Sequence, residues 1–182
     1  MAGERDRVLI GRLPRLSGWG VLLAIVLVLA PLSAMADVVG PACVEDGDTI
    51  VIDGKRYHGE CRGGIRVHLF GIDAPELKQT CADAGGGEWP CGRAAASMLL
   101  RAVRGKTVAC EGEFKDAAGD LIALCRVDRE DLARRLVRIG AAVADRRFSK
   151  DYVAEQAAAR EANVGVWRGP FTMPWDWRAG RR

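Results

Sequence analysis

The chain has 182 residues, of which 49% are hydrophobic and 28% charged, and its formal net charge at pH 7 is +3. This length is enough for one domain with a substantial core, and the hydrophobic content excludes a disordered chain. The small net charge excludes a broadly basic surface for nucleic acid, so that such binding has to depend on local clusters and a metal ion.

The first 36 residues have the layout of a secretory signal peptide. Four arginines precede an uncharged run, residues 16–36, which ends in the small-residue cleavage pattern Ala34-Met35-Ala36. The alternative is an uncleaved anchor, because these 21 uncharged residues are long enough to cross a bilayer of about 30 Å. Both interpretations place the domain outside the cytoplasm, in the periplasm or secreted. Cleavage would leave a net charge of about +1 and no stable membrane association.

Short β-branched segments separated by turn signals follow the leader. Asp53-Gly54 has the composition of a two-residue hairpin turn. The glycine-rich residues 77–91 are predicted to form a loop. Five strands are predicted, at about residues 42–46, 48–52 and 65–70 and in a hairpin over residues 107–127.

Three helices are predicted from apolar residues at helical spacing. They cover about residues 93–103, the segment "EDLARRLVRIG" that ends at Gly140, and a segment that starts near Ser149. A β-β-β-α-β-β-α-α order without βαβ alternation predicts an α+β, mainly β fold, namely a five-stranded OB-type barrel with three packed helices. We expect the domain at residues 37–168, followed by a Pro/Trp-rich tail, residues 169–182, whose tryptophans cover an edge of the core.

All six cysteines lie after the leader, and an even number in an exported protein predicts three disulfides. Cys110 and Cys125 face each other if residues 107–127 form a hairpin that turns at Ala117-Ala118. Cys81 and Cys91 bracket the glycine-rich loop, which leaves Cys43 to pair with Cys61. A metal site at these cysteines is the weaker alternative, because the sequence has no Cys-x-x-Cys pair.

Two acidic clusters follow predicted strands, Asp46-Gly47-Asp48-Thr49 and Asp73-Ala74-Pro75-Glu76. Each has a purely structural alternative: the first as a strand break with a bulge, the second as a capping box at a helix start. If the clusters converge at the barrel, their carboxylates and a backbone carbonyl give the oxygen ligands that calcium prefers, with magnesium as the alternative ion.

Six motifs in this order resemble the staphylococcal nuclease (thermonuclease) family from about residue 42 to 168. The motifs are "DGDT", "LFGIDAPE", "CGRAAASMLL", "KDAAGD", "LVRIGAAVAD" and "YVAEQAAAREANVGVW". The resemblance implies a calcium-dependent phosphodiesterase that acts on nucleic acid. It implies calcium ligands at Asp48, Asp73 and the carbonyl of Ala74, with Thr49 in support, and implies that Glu76 positions or deprotonates the attacking water.

The sequence departs from the family at its two phosphate-clamping arginines. Their positions, by the same resemblance, are His68, five residues before Asp73, and Asp120, directly after Gly119. One arginine of this kind is worth about 10³ to 10⁵ in rate in nucleotide hydrolysis, so that we expect weak or absent catalysis. Arg66 lies on the same strand face as His68 and is a candidate to replace the lost arginine.

Two other functions stay open at this point. One is a fully working nuclease with a relocated arginine. The other is a non-enzymatic OB-type module that binds nucleic acid, a cell-envelope polymer or a protein partner. If the domain is nuclease-like, we expect it to bind single-stranded DNA or RNA and to be a monomer.

Overall fold

The computed structural model describes residues 36–181, and the compact unit that contains them spans Ala34–Arg182. The predicted signal peptide lies outside these residues apart from Ala36, and stays a prediction. Within the described range, none of the helices combines the length and the apolar character that a membrane crossing requires.

The strands follow the turn signals of the sequence but are more numerous than predicted. Their bounds are β1 Ala36–Val44, β2 Thr49–Ile52, β3 Lys55–Tyr57, β4 Glu60–Arg62, β5 Ile65–Leu69, β6 Ile72–Asp73, β7 Cys81–Ala82, β8 Glu88–Trp89, β9 Thr107–Lys115, β10 Leu121–Val127, β11 Glu130–Asp131 and β12 Val143–Ala144.

Five of these strands close into a barrel in the order β1-β2-β5-β10-β9, with β9 pairing back to β1. The β5–β10 pair is parallel and the other four are antiparallel. Strand β10 alternates buried and partly buried residues over its whole length, as expected for a strand with one face in the core. The predicted OB-type barrel is confirmed.

The three predicted helices are present, and the tail adds a short fourth one. Their bounds are α1 Cys91–Val103, α2 Leu132–Arg138, α3 Val153–Glu161 and α4 Pro174–Arg178, with a 3₁₀ turn at Gly165–Arg168. Asp131 caps α2 by accepting a hydrogen bond from the amide of Arg134 at 3.1 Å, and the chain leaves this helix through Gly140 at φ 67°. Helix α3 begins at Val153, four residues later than Ser149.

Two turn predictions are wrong in detail. Asp53-Gly54 does turn the chain, with Asp53 at φ 58°, but the flanking strands β2 and β3 do not pair. Strand β2 pairs with β1 and β5 instead, because its four residues are all buried and need a partner on each side in the barrel. The predicted loop over residues 77–91 contains the small β7–β8 pair.

The three predicted disulfides, Cys43–Cys61, Cys81–Cys91 and Cys110–Cys125, are confirmed. Cys110 and Cys125 face each other across β9 and β10 as predicted, although the pairs next to the turn, such as Leu121 with Lys115, are one residue out of the predicted register and a bulge between Ile122 and Leu124 restores it. The Cys81–Cys91 bridge belongs to a second apolar cluster, against which Trp89, Trp167 and three residues of the tail pack. The tail residues are Phe171, Met173 and Trp175, so that the tail covers an edge of the core as expected.

Candidate active site

A cleft of about 360 Å³ borders strands β2, β5, β6 and β10. Side chains from both acidic clusters line it, together with residues that are distant in sequence. We name two regions by their residues: the carboxylate end, formed by Asp48, Asp73 and Glu76, and the hairpin end, formed by His68 and Asp116 of the cleft lining together with the adjacent Asp120.

The turn between β1 and β2 delivers Asp48 to the carboxylate end. Gly47 makes this possible, because a Cβ at this position would lie 2.6 Å from the Cβ of Ala74 and 2.8 Å from that of Ala95. The close approach lets the amide of Ala74 donate to Asp48 Oδ2 at 2.6 Å. The hydroxyl of Thr49 donates to Asp48 Oδ1 at 3.1 Å. The first acidic cluster is therefore a turn between two barrel strands that is held against the second cluster.

Asp73 does not start a helix, and the capping-box alternative is therefore wrong. It is the last residue of β6, where it pairs with Val143 of β12, and it is 4% exposed. Glu76 follows in a turn that packs on the start of α1, since a Cβ at Gly92 would lie 1.7 Å from the carbonyl oxygen of Glu76. The side-chain oxygen of Gln79 accepts from the amide of Glu76 at 3.2 Å.

The structure adds an arginine that sequence reasoning missed. Arg178 of α4 donates through Nη1 and Nη2 to the two carboxylate oxygens of Asp73, at 2.9 and 2.6 Å. Its Nη1 also donates to Glu76 Oε1 at 2.7 Å. No local signal in "PWDWR" distinguishes this arginine from a solvated one, because the contact joins residues 105 positions apart.

Arg147 is the second arginine in the cleft lining. It forms a salt bridge: its Nε and Nη2 donate to the two oxygens of buried Asp145 at 2.9 and 2.6 Å. Its Nη2 also lies 4.0 Å from Asp73 Oδ2, and its guanidinium lies 5.2 Å from the ring centre of Trp175. Asp145, which directly follows β12, was not among the predicted site residues.

The carboxylate end carries more negative charge than its neighbours neutralise. Burial and the nearby charge of Asp46 raise the pKa of Asp48 well above its usual range. Burial also raises the pKa of Asp73, against the lowering effect of the hydrogen bonds from Arg178. Among the described residues, no lysine or arginine lies within ion-pair distance of Asp48. Crowded, partly buried carboxylates of this kind favour the binding of a cation.

The donor set fits calcium. Asp48 and Asp73 supply oxygen ligands of the kind a hard cation prefers, and the hydrogen bond from the amide of Ala74 to Asp48 keeps the two clusters together. Thr49 orients Asp48, as a supporting group around a metal ligand does.

The hairpin end pairs its charges locally. His68 Nε2 lies 3.5 Å from Asp116 Oδ2 and 3.7 Å from Asp120 Oδ2. His68 Nδ1 lies 3.1 Å from the hydroxyl of Thr49, which connects this end to Asp48. The amide of Asp120, with that of Ala118 and the charge of His68, lowers the pKa of Asp116. Asp116, rather than Asp120, is the hairpin carboxylate that lines the cleft.

Arg66 lies outside the cleft lining. Its guanidinium pairs with Glu45 at 2.8 Å and lies 3.8 Å from Asp120 Oδ2. It therefore offsets the charge of Asp120 instead of pointing a free cation at the carboxylate end. His58, in the β3–β4 turn, is exposed.

Comparison with known proteins identifies related chains. A family model described as staphylococcal nuclease homologue matches residues 66–169, a range that includes Asp73 and Glu76. The chain is 35% identical over 167 residues to the succinoglycan biosynthesis protein ExoI of Rhizobium meliloti (strain 1021), which covers 89% of this chain and 81% of that protein.

Two further relatives have nuclease names. An uncharacterized endonuclease of Escherichia coli O157:H7 is 32% identical over 140 residues, 74% of this chain and 80% of its own length. The probable staphylococcal-like nuclease CAN2 of Oryza sativa subsp. japonica is 28% identical over 120 residues, 64% of this chain but 30% of its own length.

Proposed function

Because this chain belongs to the staphylococcal nuclease homologue family, we propose that its cleft hydrolyses phosphodiester bonds of nucleic acid in a calcium-dependent reaction. The observation that carries the proposal is that Asp48, Asp73 and Glu76 line one cleft. Asp48 comes from the turn between β1 and β2, whereas Asp73 ends β6 and Glu76 lies in the turn that follows. The relatives named as nucleases support the same activity.

In this proposal Asp48, Asp73 and the carbonyl of Ala74 hold the calcium ion. When bound, the ion would act as a Lewis acid on a phosphate oxygen and offset the charge that develops there. Thr49 keeps Asp48 oriented through its 3.1 Å hydrogen bond. A bound cation also offsets the burial and the neighbouring negative charges that raise the pKa values of Asp48 and Asp73.

Glu76 positions and deprotonates the attacking water. Its carboxylate lines the cleft beside Asp73, and its side chain is 36% exposed, so that water can reach it. The packing of Gly92 against its carbonyl and the hydrogen bond from its amide to Gln79 fix its backbone. A fixed general base beside a metal site is what this hydrolysis requires.

We propose that turnover is low because the two clamp positions hold His68 and Asp120. The side chain of His68 faces Asp116 and Asp120, and neither clamp position directs a guanidinium at a phosphate. Stabilisation of developing charge supplies most of the catalysis in phosphoryl transfer, so that the loss lowers the rate more than the affinity. Single-stranded DNA or RNA is the proposed substrate, because its backbone fits an open cleft without duplex geometry.

The second candidate is a binding module without hydrolysis. The observation that favours it is again the pairing of His68 with Asp116 and Asp120, which leaves the hairpin end without a free cation. The name of the ExoI relative, a succinoglycan biosynthesis protein, extends the candidate ligands to an envelope polymer. We also propose export to the periplasm or medium, supported by three disulfides and the composition of residues 1–36.

The test compares hydrolysis of single-stranded DNA, with calcium chloride or with a chelator, in three variants of the disulfide-bonded protein. We expect slow calcium-dependent hydrolysis by the wild type and none by Glu76→Gln. The double variant His68→Arg/Asp120→Arg should be at least about tenfold faster than the wild type. Glu60→Gln, an exposed glutamate paired with Arg62, is the matched control and should leave the rate unchanged.

Three results would decide against parts of the proposal. Calcium binding without hydrolysis in the wild type and in the double variant would favour the binding module. Equal rates in those two proteins would show that His68 and Asp120 do not limit catalysis. A calorimetric titration without heat, and without a rise in melting temperature, would remove calcium from the proposal.

A further inference from the structure

We propose that Arg178 is the phosphate-binding arginine of this cleft, supplied by the C-terminal helix instead of the barrel. This inference rests on the proposed function for the nature of the ligand. Arg178 pairs with Asp73 and Glu76 as long as these carboxylates have no other cation. It binds a substrate phosphate once Asp73 binds calcium and Glu76 binds the attacking water.

The position of Arg178 is fixed by packing in the tail that carries it. Trp175 and Met173 pack on the cluster around the Cys81–Cys91 disulfide. The amide of Ala82 donates to the carbonyl of Pro170 at 3.2 Å. The tail is thus attached to the β7–β8 segment before α4 begins, so that α4 enters the cleft at a fixed place.

Gln79 connects the tail to the catalytic turn. Its side chain is fully buried, and its amide nitrogen donates to the carbonyl of Thr172 at 2.7 Å while its oxygen accepts from the amide of Glu76. One side chain therefore fixes Glu76 and the base of α4 relative to each other. A buried amide with both functions satisfied is a specific connection, because leaving either group unpaired is costly.

Arg178 and Arg147 are the arginines in the cleft lining of the described chain, and their partners distinguish them. Arg147 makes two side-chain hydrogen bonds to Asp145, which has no proposed part in the reaction. Arg178 makes all three of its hydrogen bonds to Asp73 and Glu76, whose proposed roles need those same oxygens. Arg178 is therefore the cation that the reaction releases.

A guanidinium group can bind the carboxylates of the cleft and, equally well, a substrate phosphate. Its planar fork binds carboxylates and phosphates with similar two-point geometry, so that exchange between them needs no new type of contact. The Arg178 side chain is 46% exposed, which leaves it accessible to a ligand in the cleft. Its charge also compensates for the arginines absent at His68 and Asp120.

The experiment compares Arg178→Gln with the matched control Arg181→Gln, whose arginine pairs with Asp176 and does not line the cleft. The probe is a labelled single-stranded oligodeoxynucleotide with phosphorothioate linkages, titrated in calcium chloride at several salt concentrations. Calorimetric calcium titrations without nucleotide form the second measurement. A third variant, Arg178→Lys, keeps the charge and removes the fork.

We expect Arg178→Gln to weaken oligonucleotide binding about tenfold and to flatten the dependence of log affinity on log salt by about 0.7, the value for one phosphate contact on a single strand. Calcium binding by this variant should be several-fold tighter, because the guanidinium no longer competes for Asp73. Arg178→Lys should bind the oligonucleotide with intermediate affinity, and Arg181→Gln should match the wild type in both measurements.

Unchanged oligonucleotide affinity and salt slope in Arg178→Gln would overturn the phosphate contact, and unchanged calcium affinity would overturn the competition. These outcomes do not depend on turnover. If the wild type does not hydrolyse DNA but its oligonucleotide binding still depends on Arg178, the result would contradict the proposed hydrolysis and support the role of Arg178 in phosphate binding.

Discussion

The two ends of the cleft handle negative charge in opposite ways. At the carboxylate end, Asp73 is 4% exposed and its guanidinium partner comes from 105 residues away. At the hairpin end, Asp116 is partly exposed and accepts from the amides of Ala118 and Asp120 within its own turn. Burial makes a carboxylate depend on distant partners, whereas an exposed carboxylate can be satisfied by water and by its own loop.

The largest effect is expected from a substitution at the carboxylate end. Asp73→Asn removes a proposed calcium ligand and the bidentate partner of Arg178, so that calcium affinity should fall by about 100-fold. Asp116→Asn, at the hairpin end, should leave calcium affinity within about twofold. Isothermal titration with calcium chloride measures both values.

A result in which both substitutions weaken calcium equally would contradict the division of the cleft. It would place the ion between the two ends, near His68, instead of at Asp48 and Asp73. Asp53→Asn, at an exposed turn residue with φ 58°, controls for loss of a carboxylate elsewhere.

The second prediction uses two disulfides, Cys81–Cys91 in the cluster under the tail and Cys110–Cys125 in the β9–β10 hairpin. Cys81→Ala/Cys91→Ala and Cys110→Ala/Cys125→Ala each open a short loop and should each lower the free energy of unfolding by about 3 kcal/mol. Only the first pair should also tighten calcium binding, because Cys81–Cys91 lies in the cluster that holds the tail in place, and a released tail no longer presents Arg178 as a competitor for Asp73. Denaturant unfolding and calcium titration separate the two effects.

Equal calcium affinities in the two double variants would show that the tail does not depend on the Cys81–Cys91 cluster. In that case Gln79 alone would have to connect Thr172 to the Glu76 turn.

The smallest expected effect concerns the pH dependence of the hairpin end. The amide of Asp120 lowers the pKa of Asp116 in the folded protein, so that this carboxylate stabilises the fold above its unfolded pKa of about 3.9 and loses this effect as the pH falls. The difference in melting temperature between wild type and Asp116→Asn should therefore shrink as the pH falls below about pH 4. A difference that grows on acidification would contradict the assigned sign.

Much of the fold was predictable because its signals are local. The β9–β10 hairpin follows from one turn, but Cys110 faces Cys125 only because a bulge between Ile122 and Leu124 shifts the register by one residue. The strands of the β3–β4 and β7–β8 excursions were missed, since two or three residues give too little alternation to detect. Asp53-Gly54 has the composition of a hairpin turn, but the strands on either side of it do not pair. Local composition does not show which strands become neighbours in a closed barrel.

The residues of the candidate site also divide into those that local motifs predict and those that only the tertiary structure shows. Asp48, Asp73 and Glu76 stand in motifs with their own turn chemistry, and the structure brings them to one cleft. Arg178 and Gln79 were missed because each works through contacts that span about a hundred residues.

The sequence by itself determined the barrel, the disulfide pairs and the two acidic turns, because strand periodicity, turn residues and cysteine spacing act over a few positions. Only the tertiary structure decided which cations face those acids. The tail packs on the Cys81–Cys91 cluster, and that packing places a guanidinium against Asp73, where buried negative charge requires a partner that no neighbouring residue provides.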